Sequence, residues 1–133
     1  DVTSATADNC GVPTVTVDQT TFNCSEVGAN TVNVTSTDAN GNTITETAVV
    51  TVEDNVDPTA VCLDITGGLD AARNATVVAV DVDGGTSDNC AIATMTVSPN
   101  TFTSADLGAN NVTLTVTDVN GNTDTCTDRK SVV

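Results

Sequence analysis

An internal repeat constrains this chain more than any other feature of its sequence. Four segments recur with one common offset of 80 residues and no insertion. They are Asp8-Asn9-Cys10 with Asp88-Asn89-Cys90, Thr21-Phe22 with Thr101-Phe102, Gly28-Ala29-Asn30 with Gly108-Ala109-Asn110, and Asp38-Ala39-Asn40-Gly41-Asn42 with Asp118-Val119-Asn120-Gly121-Asn122. Because chance does not place four matches in one register, we expect tandem structural units of about 80 residues each.

The two copies are not equally complete. Residues 54–133 hold a full repeat, whereas residues 1–53 hold the C-terminal two thirds of one and lack a counterpart of residues 54–80. We therefore expect an incomplete first domain over 1–53 and a complete second domain over 54–133. The missing part would leave an apolar set in the first domain facing water: Val12, Val15, Val17, Val32 and Val34.

Hydrophobic periodicity predicts an all-β fold. Val112, Leu114 and Val116 alternate with threonines, which is typical of a half-buried strand, and Asn120-Gly121 predicts a tight hairpin turn after it. Ala60–Ile65 and Ala75–Val82 also have strand-like patterns. The charges in residues 128–132 favour an edge or terminal position for the last strand. Short strands at this spacing favour tandem immunoglobulin-like β-sandwiches.

Composition excludes several function classes. The formal net charge is −15 with three basic residues, so nucleic acids and anionic membrane surfaces are poor partners. The chain contains no His, which removes Ser-His-Asp and Cys-His catalytic sites. A carboxylate pair of the glycosidase type is conceivable, but these carboxylates recur in repeated turns. We therefore do not expect an enzyme.

The recurring motifs resemble those of the hyalin-repeat family of immunoglobulin-like modules. The resemblance rests on the Asp-Asn-Cys element, Thr21-Phe22-Asn23-Cys24, the Gly-Ala-Asn strand start, the Asp-x-Asn-Gly-Asn turn and the junction at residues 53–58. It covers nearly the whole chain and implies a module of a large bacterial surface protein or adhesin. Ser104 and Glu46 depart from the pattern, since each stands where a cysteine is expected.

Comparison of the repeats suggests a disulfide pattern. A full repeat would carry cysteines at the positions of Cys62, Cys90, Ser104 and Cys126, and the simplest connectivity pairs inner with inner and outer with outer. This predicts Cys10–Cys24 and Cys62–Cys126 and leaves Cys90 without its usual partner. Such bonds indicate an oxidising, extracellular compartment. The alternative is that all five cysteines are reduced and buried.

Acidic and amide side chains concentrate at the predicted junction and in two loops. In an immunoglobulin topology, the entry to the first strand lies at the same end as the loops after the second and sixth strands. Calcium binds six to eight oxygens from carboxylates, amides and carbonyls, so we predict a calcium site from Asp54, Asn55, Asp57, Asp88, Asn89 and Asp118. Magnesium or no ion are alternatives, and for the Asp-x-Asn-Gly-Asn turn alone, turn chemistry is the simpler explanation.

These observations favour a structural repeat of a secreted or cell-surface filament, stalk or adhesin. Its partners would be adjacent repeats or neighbouring copies of itself. Either a preceding stretch of the same polypeptide or strands donated by a neighbour would cover the incomplete domain, and donation would build a head-to-tail array. A ligand-binding adhesin module is an alternative, although the chain lacks an aromatic cluster, and so is an accessory module of a secreted enzyme.

Overall fold

The computed structural model describes residues 11–133. The chain divides into two compact units, Asp1–Asp54 and Asn55–Val133, and both are built mainly from β-strands. The motif at Asp8-Asn9-Cys10 lies outside the described residues. Among residues 11–133, no helix has the length and apolar character needed to cross a membrane.

The first unit contains one antiparallel sheet of three described strands. They are β1 (Thr14–Val17), β2 (Gly28–Thr37) and β3 (Thr43–Val52), in the order β1-β2-β3. A single 3-10 turn, Cys24–Glu26, precedes β2. Asn23 caps this turn because its side chain accepts a hydrogen bond from the Ser25 amide while Glu26 accepts one from the Asn23 amide.

The second unit contains a four-stranded sheet and a smaller pair of strands. Its elements are β4 (Ile65–Gly67), β5 (Asn74–Thr76), α1 (Ala79–Val82), β6 (Ile92–Ser98), β7 (Thr101–Thr103), β8 (Gly108–Asp118) and β9 (Thr123–Val132). The large sheet has the order β4-β9-β8-β6, with β4 parallel to β9 and the other pairs antiparallel, and β5 pairs with β7.

The hairpins β2-β3 and β8-β9 have the same register. Gly28 pairs with Val52 as Gly108 pairs with Val132, and this correspondence continues to the turns. In each turn the aspartate amide donates to the carbonyl four residues later, over 3.0 Å, and the glycine adopts positive φ. Gly suits this position because it lacks a Cβ. The hairpin turn predicted at Asn120-Gly121 is therefore confirmed.

The hydrophobic core lies in the second unit. It consists of Ala75, Val77, Val82, Phe102, Val112, Leu114, Val116 and Val132. Among the described residues of the first unit, only Val32 is buried to this degree, whereas Val15, Val17 and Val34 are half-buried. The expectation that this apolar set faces water holds for Val12, which is 97% exposed, and is wrong for Val32.

Three strand predictions need correction. Residues 60–65 form only an isolated bridge, Cys62 with Asp83, before β4 begins at Ile65. The segment 75–82 is a strand only to Thr76 and then turns into α1, because alternation of valines does not distinguish a strand from a short helical turn. Strand β9 is interior rather than an edge, since β4 pairs with it through Ile65 and Lys130. Lys130 is only 4% exposed at this position, so the pairing with β4 covers a charged side chain.

Candidate metal centre

Three carboxylates converge where the chain enters the second unit. Oxygen atoms of Asp54, Asp88 and Asp118 all lie within 4.8 Å of one another. Asp54 and Asp88 are half-buried and Asp118 is 2% exposed. Each of the three was among the predicted metal ligands.

The hairpin turn after β8 fixes the carboxylate of Asp118. Its Oδ1 accepts hydrogen bonds from the amides of Asn120 and Asn122, both at 2.8 Å, and its Oδ2 accepts one from the Asn122 side chain at 2.7 Å. Burial raises the pKa of the Asp118 carboxyl, but these bonds outweigh burial and lower the pKa overall. The turn therefore holds a charged carboxylate in a buried position.

Asp88 presents an oxygen that has no partner within the described part of the chain. Its Oδ2 accepts hydrogen bonds from the amides of Cys90 at 2.8 Å and Ala91 at 2.9 Å, which fixes the orientation of the side chain. Its Oδ1 is buried and accepts no hydrogen bond from residues 11–133. Because an unsatisfied buried acceptor costs free energy, this oxygen is available to a cation or to a hydrogen-bond donor.

Hydrogen bonds fix the segment that follows Asp54, here called the entry segment, at Thr59 and Ala60. Thr59 and Ser87 exchange backbone hydrogen bonds of 2.8 and 3.1 Å, one residue before Asp88, and Pro58 is buried. The Ala60 amide donates to Asp124 Oδ2 at 2.8 Å, and this bond lowers the pKa of the Asp124 carboxyl. Sequence reasoning missed Asp124, although repeat comparison contains a signal, since Ile44 occupies its position in the first copy.

This geometry can hold a divalent cation. Three negative charges at this spacing repel one another, and a cation bound between them would turn repulsion into attraction. Oxygens on opposite sides of a calcium ion are about 4.8 Å apart, so the spacing of the three carboxylates is compatible with one shared ion. With three basic residues against 18 acidic ones, the chain supplies few positive charges of its own.

The other predicted ligands are not part of this group. Asp57 is exposed and lies outside the carboxylate cluster, although it is close to Asp54 in sequence. Asn55 and Asn89 are also exposed, and the Asn89 amide nitrogen lies 3.5 Å from Cys90 Sγ. The prediction of six ligands therefore overestimates the protein's side-chain contribution, because it assigned every polar residue of the junction to the site.

The equivalent turn of the first unit provides an internal comparison. Asp38 accepts the same hydrogen bonds from Asn40 and Asn42, with the same distances as Asp118. Those from Asn42 lower the pKa of the Asp38 carboxyl. Among the described residues, however, Asp38 does not belong to a carboxylate group of this kind. Turn chemistry alone thus explains Asp38, whereas Asp118 also faces two other carboxylates.

The structure contains the Cys62–Cys126 disulfide that repeat comparison predicts, with the Cα atoms 5.8 Å apart. Cys24 is disulfide-bonded as well, but its predicted partner, Cys10, lies outside the described residues. Cys90 is also disulfide-bonded, although Ser104 stands at the position of its usual partner. Disulfides of this kind are typical of oxidising compartments.

Comparisons with known proteins add no relative from which a function could be transferred. No protein-family model matches the chain, and no curated protein matches it in sequence.

Proposed function

We propose that this chain is a structural repeat segment of an extracellular filament, stalk or adhesin, stabilised by disulfides and by calcium. The observation that carries the proposal is the carboxylate group of Asp54, Asp88 and Asp118, because Asp54 stands where one compact unit ends and the next begins. A cation bound there would restrain the entry segment of the second unit. Repeated β-rich modules of about 80 residues with few aromatic side chains suit a spacer role.

Calcium fits the donor set better than magnesium does. Calcium accepts flexible coordination by carboxylates, carbonyls and water, whereas magnesium requires near-ideal octahedral geometry and keeps much of its water. The orientations of Asp88 and Asp118 are fixed by backbone amides before any ion binds. A preformed, purely carboxylate set of this kind favours the larger ion.

Titration calorimetry and thermal melting of the metal-free chain test the ion. Calcium should raise the melting temperature, with about 2.7 kcal/mol of stabilisation at a free concentration 100 times Kd. Asp118→Asn should abolish most of this response, and Asp54→Asn provides a second variant should Asp118→Asn fold poorly. Equal responses to calcium and magnesium would contradict the choice of ion.

Two matched control variants distinguish loss of calcium binding from disruption of the hairpin turn. Asp38→Asn alters the same turn with the same hydrogen bonds in the first unit, so it should leave the calcium response unchanged. Asp57→Asn removes an equal charge next to the site and should also leave the response unchanged. If Asp38→Asn and Asp118→Asn reduce the calcium response equally, the site does not bind calcium.

Neighbouring copies or adjacent repeats are the proposed partners, in a head-to-tail arrangement. The first unit supports this because its apolar residue Val34 is only half-buried, whereas its counterpart Leu114 is fully buried in the core of the second unit. Light scattering and electron microscopy of the whole chain across a concentration series test assembly. Linear oligomers are expected, and a monomer at every concentration, with and without calcium, would contradict the proposal.

A further inference from the structure

The solvent-facing side of the second unit's sheet carries a grid of hydroxyl groups. On β6, β8 and β9, alternate residues are threonine or serine, and they pair across the strands. The three rows are Ser98, Thr113 and Thr127; Thr96, Thr115 and Thr125; and Thr94, Thr117 and Thr123. The members on β6 and β9 are exposed, and those on β8 are half-buried. The opposite face of β8 holds the buried residues Val112, Leu114 and Val116.

The first unit repeats this arrangement on a smaller scale. Its two rows are Thr14, Thr37 and Thr43, and Thr16, Thr35 and Thr45. The hydroxyls of Thr35 and Thr45 lie 3.0 Å apart, as those of Thr113 and Thr127 lie 3.1 Å apart. Threonine favours strands in general. That preference does not explain why these rows contain no valine or isoleucine, and the grid ends at the next row of the same face, which holds Asn111 and Arg129.

The chemistry of the grid favours a ligand that is uncharged and has a regular repeat. Each threonine offers one methyl group and one hydroxyl that can donate and accept, and no charge has to be stripped of water when the face is covered. Flat carbohydrate surfaces usually require aromatic side chains for stacking. The chain has only two aromatic residues, of which Phe102 is buried and Phe22 is half-buried, and neither belongs to the grid. Ordered water is the neutral occupant that hydroxyls and methyl groups alone can match.

The spacing of the grid points to ice. Neighbouring strands are about 4.8 Å apart, and alternate residues along an antiparallel strand are about 6.8 Å apart. The threonine positions therefore repeat at distances close to the two repeat distances of oxygen atoms on a prism face of hexagonal ice, although the hydroxyls of Thr113 and Thr127 bond to each other at 3.1 Å. We infer that the threonine grid binds ice or organises water into an ice-like layer at its surface. This inference does not depend on the metal centre.

Sheet twist limits the strength of this binding. Adjacent strands are rotated by about 20° relative to one another, so a patch three strands wide fits a flat crystal face only near its middle row. Thr115 occupies the centre of that row, between Thr96 and Thr125. The expected activity is therefore inhibition of ice recrystallisation and incorporation into growing ice, with only a small depression of the freezing point.

Two assays test the inference on the whole chain in calcium-containing buffer. They measure its incorporation into slowly growing ice and its inhibition of ice recrystallisation. Thr115→Lys and Thr125→Lys should each raise the concentration needed for half-maximal inhibition roughly tenfold or more, which corresponds to about 1.4 kcal/mol. The control is Thr76→Lys, which adds the same charge at an exposed threonine of β5 outside the grid, and it should behave as the wild type. Circular dichroism confirms that each variant is folded.

Several outcomes would overturn the inference. Exclusion of the wild type from ice would do so, as would equal ice binding by the wild type and both grid variants. If Thr76→Lys loses as much activity as Thr115→Lys, the effect comes from charge rather than from the grid. Retention on insoluble cellulose or chitin without any enrichment in ice would assign the face to a carbohydrate instead.

Discussion

Removal of the Cys62–Cys126 disulfide is expected to cost the second unit a large part of its stability. The bond joins residues 64 apart in sequence, so it closes a long loop in the unfolded chain. In the chain-entropy treatment a loop of this length is worth about 4 kcal/mol at 25 °C. Small domains are stable by about 5–15 kcal/mol, so Cys62→Ala/Cys126→Ala should lower the melting temperature of this unit by roughly 20 °C.

Urea unfolding of the whole chain measures this loss in the relevant unit. The methyl resonances of Val112 and Leu114 report on the second core, and those of Val32 report on the first unit. The midpoint from Val112 and Leu114 should fall, and the denaturant slope should rise because the unfolded chain without the cross-link exposes more surface. A loss below about 1 kcal/mol would refute the loop-entropy reasoning, because both sulfurs pack against the core and their removal adds to the cost.

Two further predictions concern single positions of the second unit. The Thr86 amide, the Thr86 hydroxyl and the Gly85 amide hold the pKa of the Asp83 carboxyl below its ordinary value. The stabilisation that Asp83 provides is therefore present above about pH 4 and is lost as the pH falls through the lowered pKa. The difference in unfolding free energy between wild type and Asp83→Asn, measured in urea, should shrink on acidification. A difference that stays constant with pH would contradict this assignment. At Gly67, an added methyl group would meet the ammonium end of the flexible Lys130 side chain, which can move aside, so Gly67→Ala should cost at most about 1 kcal/mol in urea unfolding. A cost above about 3 kcal/mol that persists in a Lys130→Ala background would contradict this expectation.

The hairpins could be predicted from sequence because their signals are local. Alternation in residues 112–117 fixes which side chains are buried, and Asn-Gly fixes the turn and hence the register. The same pattern in residues 32–37 gives the same register in the first unit. Periodicity and turn chemistry therefore sufficed for the β8-β9 hairpin and for its equivalent in the first unit.

The remaining strands depend on partners distant in sequence. Strand β4 has three residues and exists through parallel pairing with β9, which no local pattern indicates. Charges in residues 128–132 suggested an edge, but Lys130 can place its stem in the interior while its neighbour Arg129 stays exposed. The residue types of β9 therefore could not predict that it pairs with two strands.

Half of the predicted ligand set converges in the structure. Carboxylate oxygens of Asp54, Asp88 and Asp118 come together in the structure. Asp57, Asn55 and Asn89 were included because of their neighbours in sequence, and sequence does not reveal which side of an extended segment faces the loops. Residue types therefore predicted the chemistry of the site, whereas the path of the backbone determines which of these residues belong to it.

The two Asp-x-Asn-Gly-Asn turns show how one motif can serve two purposes. Both aspartates make the same bonds to the turn, so a need for a stable hairpin explains the motif in either copy. Only Asp118 is nearly fully buried, and within residues 11–133 only there do Asp54 and Asp88 add two further carboxylates. A hairpin by itself gains nothing from such repulsion, and Asp88 also keeps a buried oxygen without a hydrogen bond from the described residues. This one turn therefore belongs to a carboxylate group that could hold a cation, which is why Asp118→Asn and Asp38→Asn should differ in their response to calcium.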